Sequence, residues 1–338
     1  MLGMDGQRTI NMKYGLTKAL LKRVLISVIV LFLLISFIFI LLRISPGDPS
    51  QKFVSPELSP ELANHVKDNF NLNDSIFEQY KSFLVNLSQG DFGISYNYRT
   101  PVLNVIERHL PITLVLAVLS LIVQLGFGIP LALISVKNIG SKKDKFINKL
   151  SLFFYAIPSF ALGVLLIFLF SEKISLFPSA GIKTLGSDDW SFWDKLWDYI
   201  VHLILPVITL SVSGIAIFYR YMRDNLEDIY NSNFVTNLRS YGMNERKITR
   251  KHILPNAIGP VISVAGVELG FLLSGALITE VIFSLPGMGR LAINAIQDRD
   301  YPLVIGCTIV AGVLVILSNL LADIIRAKLD KRIVKEII

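Results

Sequence analysis

Three carboxylates lie inside long apolar stretches of this 338-residue sequence: Glu268, Glu280 and Asp323. A charge at the centre of a hydrocarbon layer costs about 2.5–3.5 kcal/mol on insertion scales, so each must face protein or water. Glu268 is eight residues into its stretch, about 12 Å at 1.5 Å per residue, which puts it close to mid-depth. Two roles stay open to it: lining a transport pathway, or packing as a protonated or hydrogen-bonded side chain. Glu280 lies near the far end of the same stretch. Asp323 precedes Arg326 by three residues, a helical spacing that pairs the two. Gly266, Gly270 and Ser274 repeat at intervals of four and set small side chains along one helical stripe, which permits close helix approach. The spacing does not choose between a neighbour in the chain, a second subunit and a pathway.

Other chemistry is excluded by missing residues. There is no Gly-x-x-x-x-Gly-Lys-Ser/Thr phosphate loop, so the chain is not expected to bind and hydrolyse ATP by itself. None of the four histidines, His65, His109, His202 and His252, is followed by glutamate, which removes the His-Glu-x-x-His zinc site. Ser211-Val-Ser-Gly214 lacks the leading glycine of a serine elbow. Gly287-Met-Gly289 is followed by Arg290, which removes an intramembrane aspartyl reading. Metal-ligand clusters are absent, and the single cysteine, Cys307, allows no intramolecular disulfide. An enzyme is not expected, and neither is a metal or cofactor bound by the chain.

The elements that must position the carboxylates are membrane spans. The composition is 52% hydrophobic and 17% charged, against about 25% charged in soluble domains. Six apolar runs are long enough to cross a bilayer: Val24 to Leu42, Ile112 to Val136, Leu150 to Phe170, Ile200 to Phe218, Pro260 to Ile282 and Leu303 to Ile325. The first is too long for a signal core and is followed by Arg43 and no small-x-small site, so an uncleaved span is expected. Segments 1–23, 137–149, 219–258 and 326–338 hold 22 Lys and Arg, whereas 43–111, 171–199 and 283–302 hold 11. With acidic residues included, the first set carries +14 and the second −4. By the positive-inside rule both termini are expected in the cytoplasm. The positive charge then describes a cytoplasmic membrane face and not a nucleic-acid site. Trp190, Trp193 and Trp197, with Phe192 and Tyr199, precede the fourth run and suit an aromatic belt at the outer headgroups. Pro130, Pro158 and Pro206 predict kinks inside other runs.

Two connections carry structure of their own. In the first, Ile76, Phe77, Tyr80, Phe83, Leu84 and Leu87 recur at helical spacing behind Asn73 and Asp74, either of which suits a cap, so a surface helix is expected. The fourth connection, 219–258, reads as two helices. Phe234 to Tyr241 is interrupted by Gly242, which suits a C-terminal cap or bend, and Asn244 to Ile253 stops at Leu254-Pro255. Such a projection is either a handle for a cytoplasmic partner or a solvated linker.

Here the sequence resembles the permeases of ABC importers, whose cytoplasmic signature is Glu-Ala-Ala-x-x-x-Gly followed by Ile-x-Leu-Pro. This sequence has Thr236-Asn-Leu238-x-x-x-Gly242 and Ile253-Leu254-Pro255, departing at the first three positions. Glu280-Val-Ile-Phe283-Ser-Leu-Pro286-Gly-Met-Gly289-Arg290 and Arg299-Asp-Tyr-Pro302 are similar to the dipeptide, oligopeptide and nickel branch. So are Pro46-Gly-Asp-Pro49, Gly90-Asp-Phe-Gly93 and Leu321-Ala-Asp323. The resemblance implies an all-α polytopic membrane protein with six transmembrane helices in the type I importer fold. It would comprise a cytoplasmic segment 1–23, a first helix 24–42, an extracytoplasmic connection 43–111, a five-helix core 112–325 and a tail 326–338. The family further implies a prokaryotic inner-membrane location, a second homologous permease, two ATPases that hold ATP and Mg, and an extracytoplasmic solute-binding protein. Thr236, Asn237, Leu238, Arg239, Ser240, Tyr241, Gly242 and Met243 would form the coupling helix that docks on the ATPase. Cargo would be a peptide or a related small solute such as nickel. The alternative is an ion-coupled carrier that uses Glu268 and a discontinuous helix near Gly126-Phe-Gly-Ile-Pro130.

Overall fold

A computed structural model of the chain describes residues 2–44 and 75–329, and within them the regular structure is helical. The helices are α1 (Leu2–Ile44), α2 (Ile76–Ser88), α3 (Val102–Val136), α4 (Lys142–Ala156), α5 (Ser159–Leu166), α6 (Phe192–Tyr230) and α7 (Asn233–Ser240). They continue with α8 (Glu245–Ile248), α9 (Leu254–Leu273), α10 (Leu277–Ile282), α11 (Met288–Gln297) and α12 (Tyr301–Leu329). Among the described residues five helical stretches are long and apolar enough to cross a bilayer: Leu21–Ile44, Val102–Val136, Phe192–Tyr230, Glu245–Ile282 and Tyr301–Leu329. A sixth crossing exists when α4 and the stretch Ser159–Lys173 are taken as one span bent by 93°. The motif Pro46 to Pro49 and the capping residues Asn73 and Asp74 lie outside the described residues.

Several runs differ from the sequence expectation, each for a local reason. The third run is broken because Ile157 is extended (ψ 122°) ahead of Pro158, whose ring disfavours a helical conformation for the residue before it. The fifth run is broken at Gly275, which has φ +119°. A side chain there would also stand 2.8 Å from Gly289, so two glycines let this break sit against the start of α11. The stretch from Asn244 does not stop at Leu254-Pro255. It passes through a π-helical turn, Thr249–Ile253, into α9, and Pro255, which has no N–H to donate, sits where the π-turn gives way to the α-helix. α3 starts ten residues before the expected Ile112, and α6 continues past the expected Phe218 to Tyr230. On the surface helix α2 the cap is Ser75, which forms a reciprocal capping box with Glu78.

Glycines set the two closest helix pairs. α3 packs along α6, where a side chain at Gly128 would stand 2.8 Å from the Phe218 Cβ and where Gly214 accommodates the Gln124 side chain. α9 packs along α12, with Gly266 against Ala322 and Gly270 against Ser318. The glycine part of the small-residue stripe is therefore spent inside this chain. Ser274 is not part of that contact: it caps the end of α9 and its hydroxyl donates to the Phe271 carbonyl (2.8 Å). α1 lies outermost, with only 11% of its most apolar window buried, and meets α12 through Ile35, Phe39, Ile305 and Ile309.

Candidate functional site

The projecting segment between α6 and α9 is a compact hairpin. α7 ends in a Schellman motif: the Met243 N–H donates to the Leu238 carbonyl (3.2 Å) and the Gly242 N–H to that of Arg239 (2.9 Å). Gly242 has φ +73°, a conformation a β-carbon disfavours, while the space around it is open. The Asn244 side chain then accepts from the Arg246 N–H (2.8 Å) and starts α8.

One face of this hairpin is anchored. Val235, Ile248 and Ile253 are fully buried against Phe218, Tyr219, Met222 and Leu226 of α6. The Tyr230 and Thr249 hydroxyls are hydrogen bonded (2.8 Å), and Arg239 bonds to Glu245 (2.6 Å) across the bend. The other face is open. Thr236, Asn237, Arg239, Ser240, Tyr241 and Gly242 are exposed, whereas Leu238 and Met243 are half-buried. Tyr241 at 84% exposure presents an aromatic ring left largely uncovered by the described residues, and Phe234 is exposed to 42%. Val235 was missed as the anchor, although its place beside four exposed polar positions is the signal that marks an inward side chain.

Behind the hairpin, a buried Asp144 ties three helices together. It accepts from Ser135 of α3, from the Gly140 N–H (2.9 Å) and from both Nε (3.2 Å) and Nη2 (3.3 Å) of Arg223 on α6. Ser135 also shares a hydrogen bond with the Tyr219 hydroxyl (2.9 Å), and Arg223 reaches Glu227 one turn on (2.8 Å). Sequence reasoning found none of this knot. Only the Arg223–Glu227 spacing was legible; the Asp144–Arg223 contacts cross 79 residues.

The three carboxylates of the apolar runs go separate ways. Glu280, on α10, is fully buried and accepts from the Thr113 hydroxyl (2.8 Å) and the Arg290 N–H (2.9 Å). Thr113 in turn accepts from the Met288 N–H (2.8 Å). Glu280 and Thr113 thus cap the N-terminus of α11, whose first amides have no helical acceptor, and Gly287 leaves room for the carboxylate. Asp323, assigned by spacing to Arg326, is in an ion pair with Arg23 of α1. Glu268, on α9, is half-buried and receives a long hydrogen bond from the fully buried Gln124 (3.4 Å), whose amide also donates to the Leu210 carbonyl (3.1 Å). Among the described residues Glu268 has no ion pair. Its neighbours Val267 and Phe271 are 64% and 73% exposed, so the described residues leave this side of α9 uncovered. Among the described residues no cluster of three metal-ligating side chains exists.

At the end of the molecule away from the hairpin, Ser95 and the Asn97 N–H (3.0 Å) bond to the buried Asp300, which fastens the Gly90–Pro101 loop beside α12. Burial pushes the neighbouring Tyr96 hydroxyl up to about 12, against the opposing pull of Arg43, so it stays a protonated donor at physiological pH.

Residues 124–335 match the pattern of the binding-protein-dependent transport system inner membrane component, and residues 16–117 match the N-terminal part of such membrane components. The chain belongs to this family. It is 35% identical over 315 residues to the oligopeptide transport system permease protein AppB of Bacillus subtilis, covering 93% of this chain and 98% of AppB. It is 32% identical over 318 residues to the nickel import system permease protein NikB of Staphylococcus aureus, covering 93% and 91%. Among solved structures, inward-facing conformations of the MetNI methionine ABC transporter share 18% identity at a TM-score of 0.49, over 70% of this chain and 97% of that one. The chain is therefore a multi-pass inner-membrane permease subunit of an ABC importer, a class that works with ATPase and solute-binding partners. The ion-coupled alternative finds no support among these relatives.

Proposed function

We propose that this permease carries peptides, forming half of a translocation pathway with a second, similar permease and working with two cytoplasmic ATPases that hold ATP and Mg. The observation that carries the cargo class is the end-to-end similarity to AppB. The similarity to NikB favours a second reading, nickel or a nickel chelate. The segment Thr236 to Met243 acts as the coupling helix. What supports this is its exposed polar face, the largely exposed ring of Tyr241 and the preceding Val235, anchored on α6, a helix that runs back into the membrane. Force applied by an ATPase at Tyr241 would reach α6 through Val235. The lack of a phosphate loop in the sequence supports hydrolysis by the partners. Moving an inward-facing population from 1:99 to 99:1 outward takes about 5.5 kcal/mol of differential binding, which ATP binding must supply.

Glu268 borders the pathway in this reading, since a carboxylate on an uncovered face at membrane depth does not face hydrocarbon. The test is reconstitution of the four-component membrane complex with its binding protein. ATP hydrolysis stimulated by peptide-loaded and not by nickel-loaded binding protein is expected; the reverse would establish the nickel reading. Glu268→Gln should slow or redirect uptake, and wild-type kinetics in that variant would return Glu268 to a packing role.

A further inference from the structure

A half-open pocket of about 670 Å³ lies beside the hairpin, between the end of α3 and the helical stretch that runs from α8 through the π-helical turn into α9. Its two walls are built alike. On α3, Lys137 follows Leu133 by one helical turn; on the facing stretch, Arg246 and Arg250 precede Leu254 at intervals of four. Leu133 and Leu254 belong to the apolar spans Val102–Val136 and Glu245–Ile282. Each wall is therefore aliphatic toward the bilayer and cationic away from it. Four residues rise about 6 Å along a helix, and the headgroup layer of one leaflet is about 5–8 Å deep. The cations thus stand at phosphate level when the two leucines reach the hydrocarbon.

The lining holds four cations, Lys137, Arg239, Arg246 and Arg250, against one carboxylate, Glu245. Glu245 is already bonded to Arg239. Among the described residues no ion pair offsets the charge of Lys137, Arg246 and Arg250. We infer that this pocket binds an anionic phospholipid of the cytoplasmic leaflet, with the phosphate among these three cations and the start of an acyl chain against Leu133 and Leu254. Two observations favour a lipid over the ATPase. The exposed α7 positions assigned to the ATPase, Thr236, Asn237, Ser240 and Tyr241, do not line the pocket. The charge is set on the ends of membrane spans, where each basic residue attracts anionic lipid. The leaflet follows from the positive-inside orientation, and the site does not rest on the cargo reading.

To test this, the purified importer complex would be equilibrated with vesicles of equal phosphatidylethanolamine and phosphatidylglycerol, re-isolated in mild detergent and analysed for retained lipid by native mass spectrometry. The wild-type complex is expected to retain phosphatidylglycerol in preference to phosphatidylethanolamine. Arg246→Gln with Arg250→Gln should reduce that preference about thirtyfold, equivalent to about 2 kcal/mol, and Lys137→Gln alone about fivefold. Lys142→Gln with Lys143→Gln removes two exposed cations of α4 that do not line the pocket, and should leave the preference unchanged. Equal loss in the two double variants would overturn the inference, because the general charge of the membrane face would then account for the binding. So would an arginine variant that keeps the wild-type preference. Displacement of phosphatidylglycerol by inorganic phosphate would assign the pocket to a soluble anion, and efficient cross-linking of Leu133→Cys to an ATPase or the second permease would assign it to protein; either overturns the lipid site. The readout is lipid retention and not uptake, so a complex that carries nickel instead of peptide leaves the inference standing.

Discussion

Gly242 is the residue on which the hairpin turns. Its φ of +73° with open space around it means that a substitution is penalised by backbone strain alone. A left-handed conformation costs an ordinary residue about 1–2 kcal/mol, while Asn tolerates it. Gly242→Val should therefore misplace Tyr241 and reduce uptake roughly tenfold with ATP hydrolysis and membrane insertion retained; Gly242→Asn should be near wild type. The ratio of ATP hydrolysed to cargo delivered in proteoliposomes checks both, and coupled uptake by the valine variant would remove the assigned role. Glu280 is the contrasting case, a residue whose burial is structural. Glu280→Ala strands the Arg290 N–H and the Thr113 hydroxyl, an expected loss of about 1–3 kcal/mol. The thermal midpoint of the solubilised complex should fall, and an unchanged midpoint would mean that α11 does not depend on this cap. Sequence spacing placed Glu280 correctly at the end of a run but could not show its acceptor role, because Thr113 is 167 residues away.

At the scale of elements, the α3–α6 pair depends on the absence of one side chain. A Cβ at Gly128 would crowd the Phe218 Cβ (2.8 Å) and the Ile215 carbonyl (3.1 Å), whereas at Gly126, two residues earlier, it would meet nothing within 4 Å. Gly128→Val should cost about 1–3 kcal/mol by overpacking, and Gly126→Val should be tolerated. Measuring yield and thermal midpoint for the two together separates helix packing from a general effect of valine in a membrane helix; equal behaviour would argue against a close α3–α6 contact. The element types were legible in advance because a 20-residue apolar run has few alternatives in a bilayer. The breaks were not. Pro158 announced a kink, but a bend of 93° and a break in the helix at Gly275 depend on what packs beneath them.

For the whole molecule, the basic segments all lie on one side in the sequence reading, and the hairpin belongs to that side. A fluorescent protein fused after Ile338 should therefore mature and fluoresce in cells, and a phosphatase inserted between Lys183 and Trp190 should be active outside. Reversal of either result would invert the membrane orientation and remove the hairpin from reach of an ATPase. The sequence by itself determined the membrane class, the number of apolar runs and the family. Those follow from composition, from the 1.5 Å rise of a helix and from motifs read within short windows. Only the tertiary structure decided which side chains meet across long intervals: Asp323 with Arg23, Glu280 with Thr113, Asp144 with Arg223, and Glu268 with Gln124. The physical reason is that helix formation is satisfied locally by backbone hydrogen bonds. The rotation and depth at which helices dock are set by glycines and buried polar groups that find partners only once the bundle is assembled.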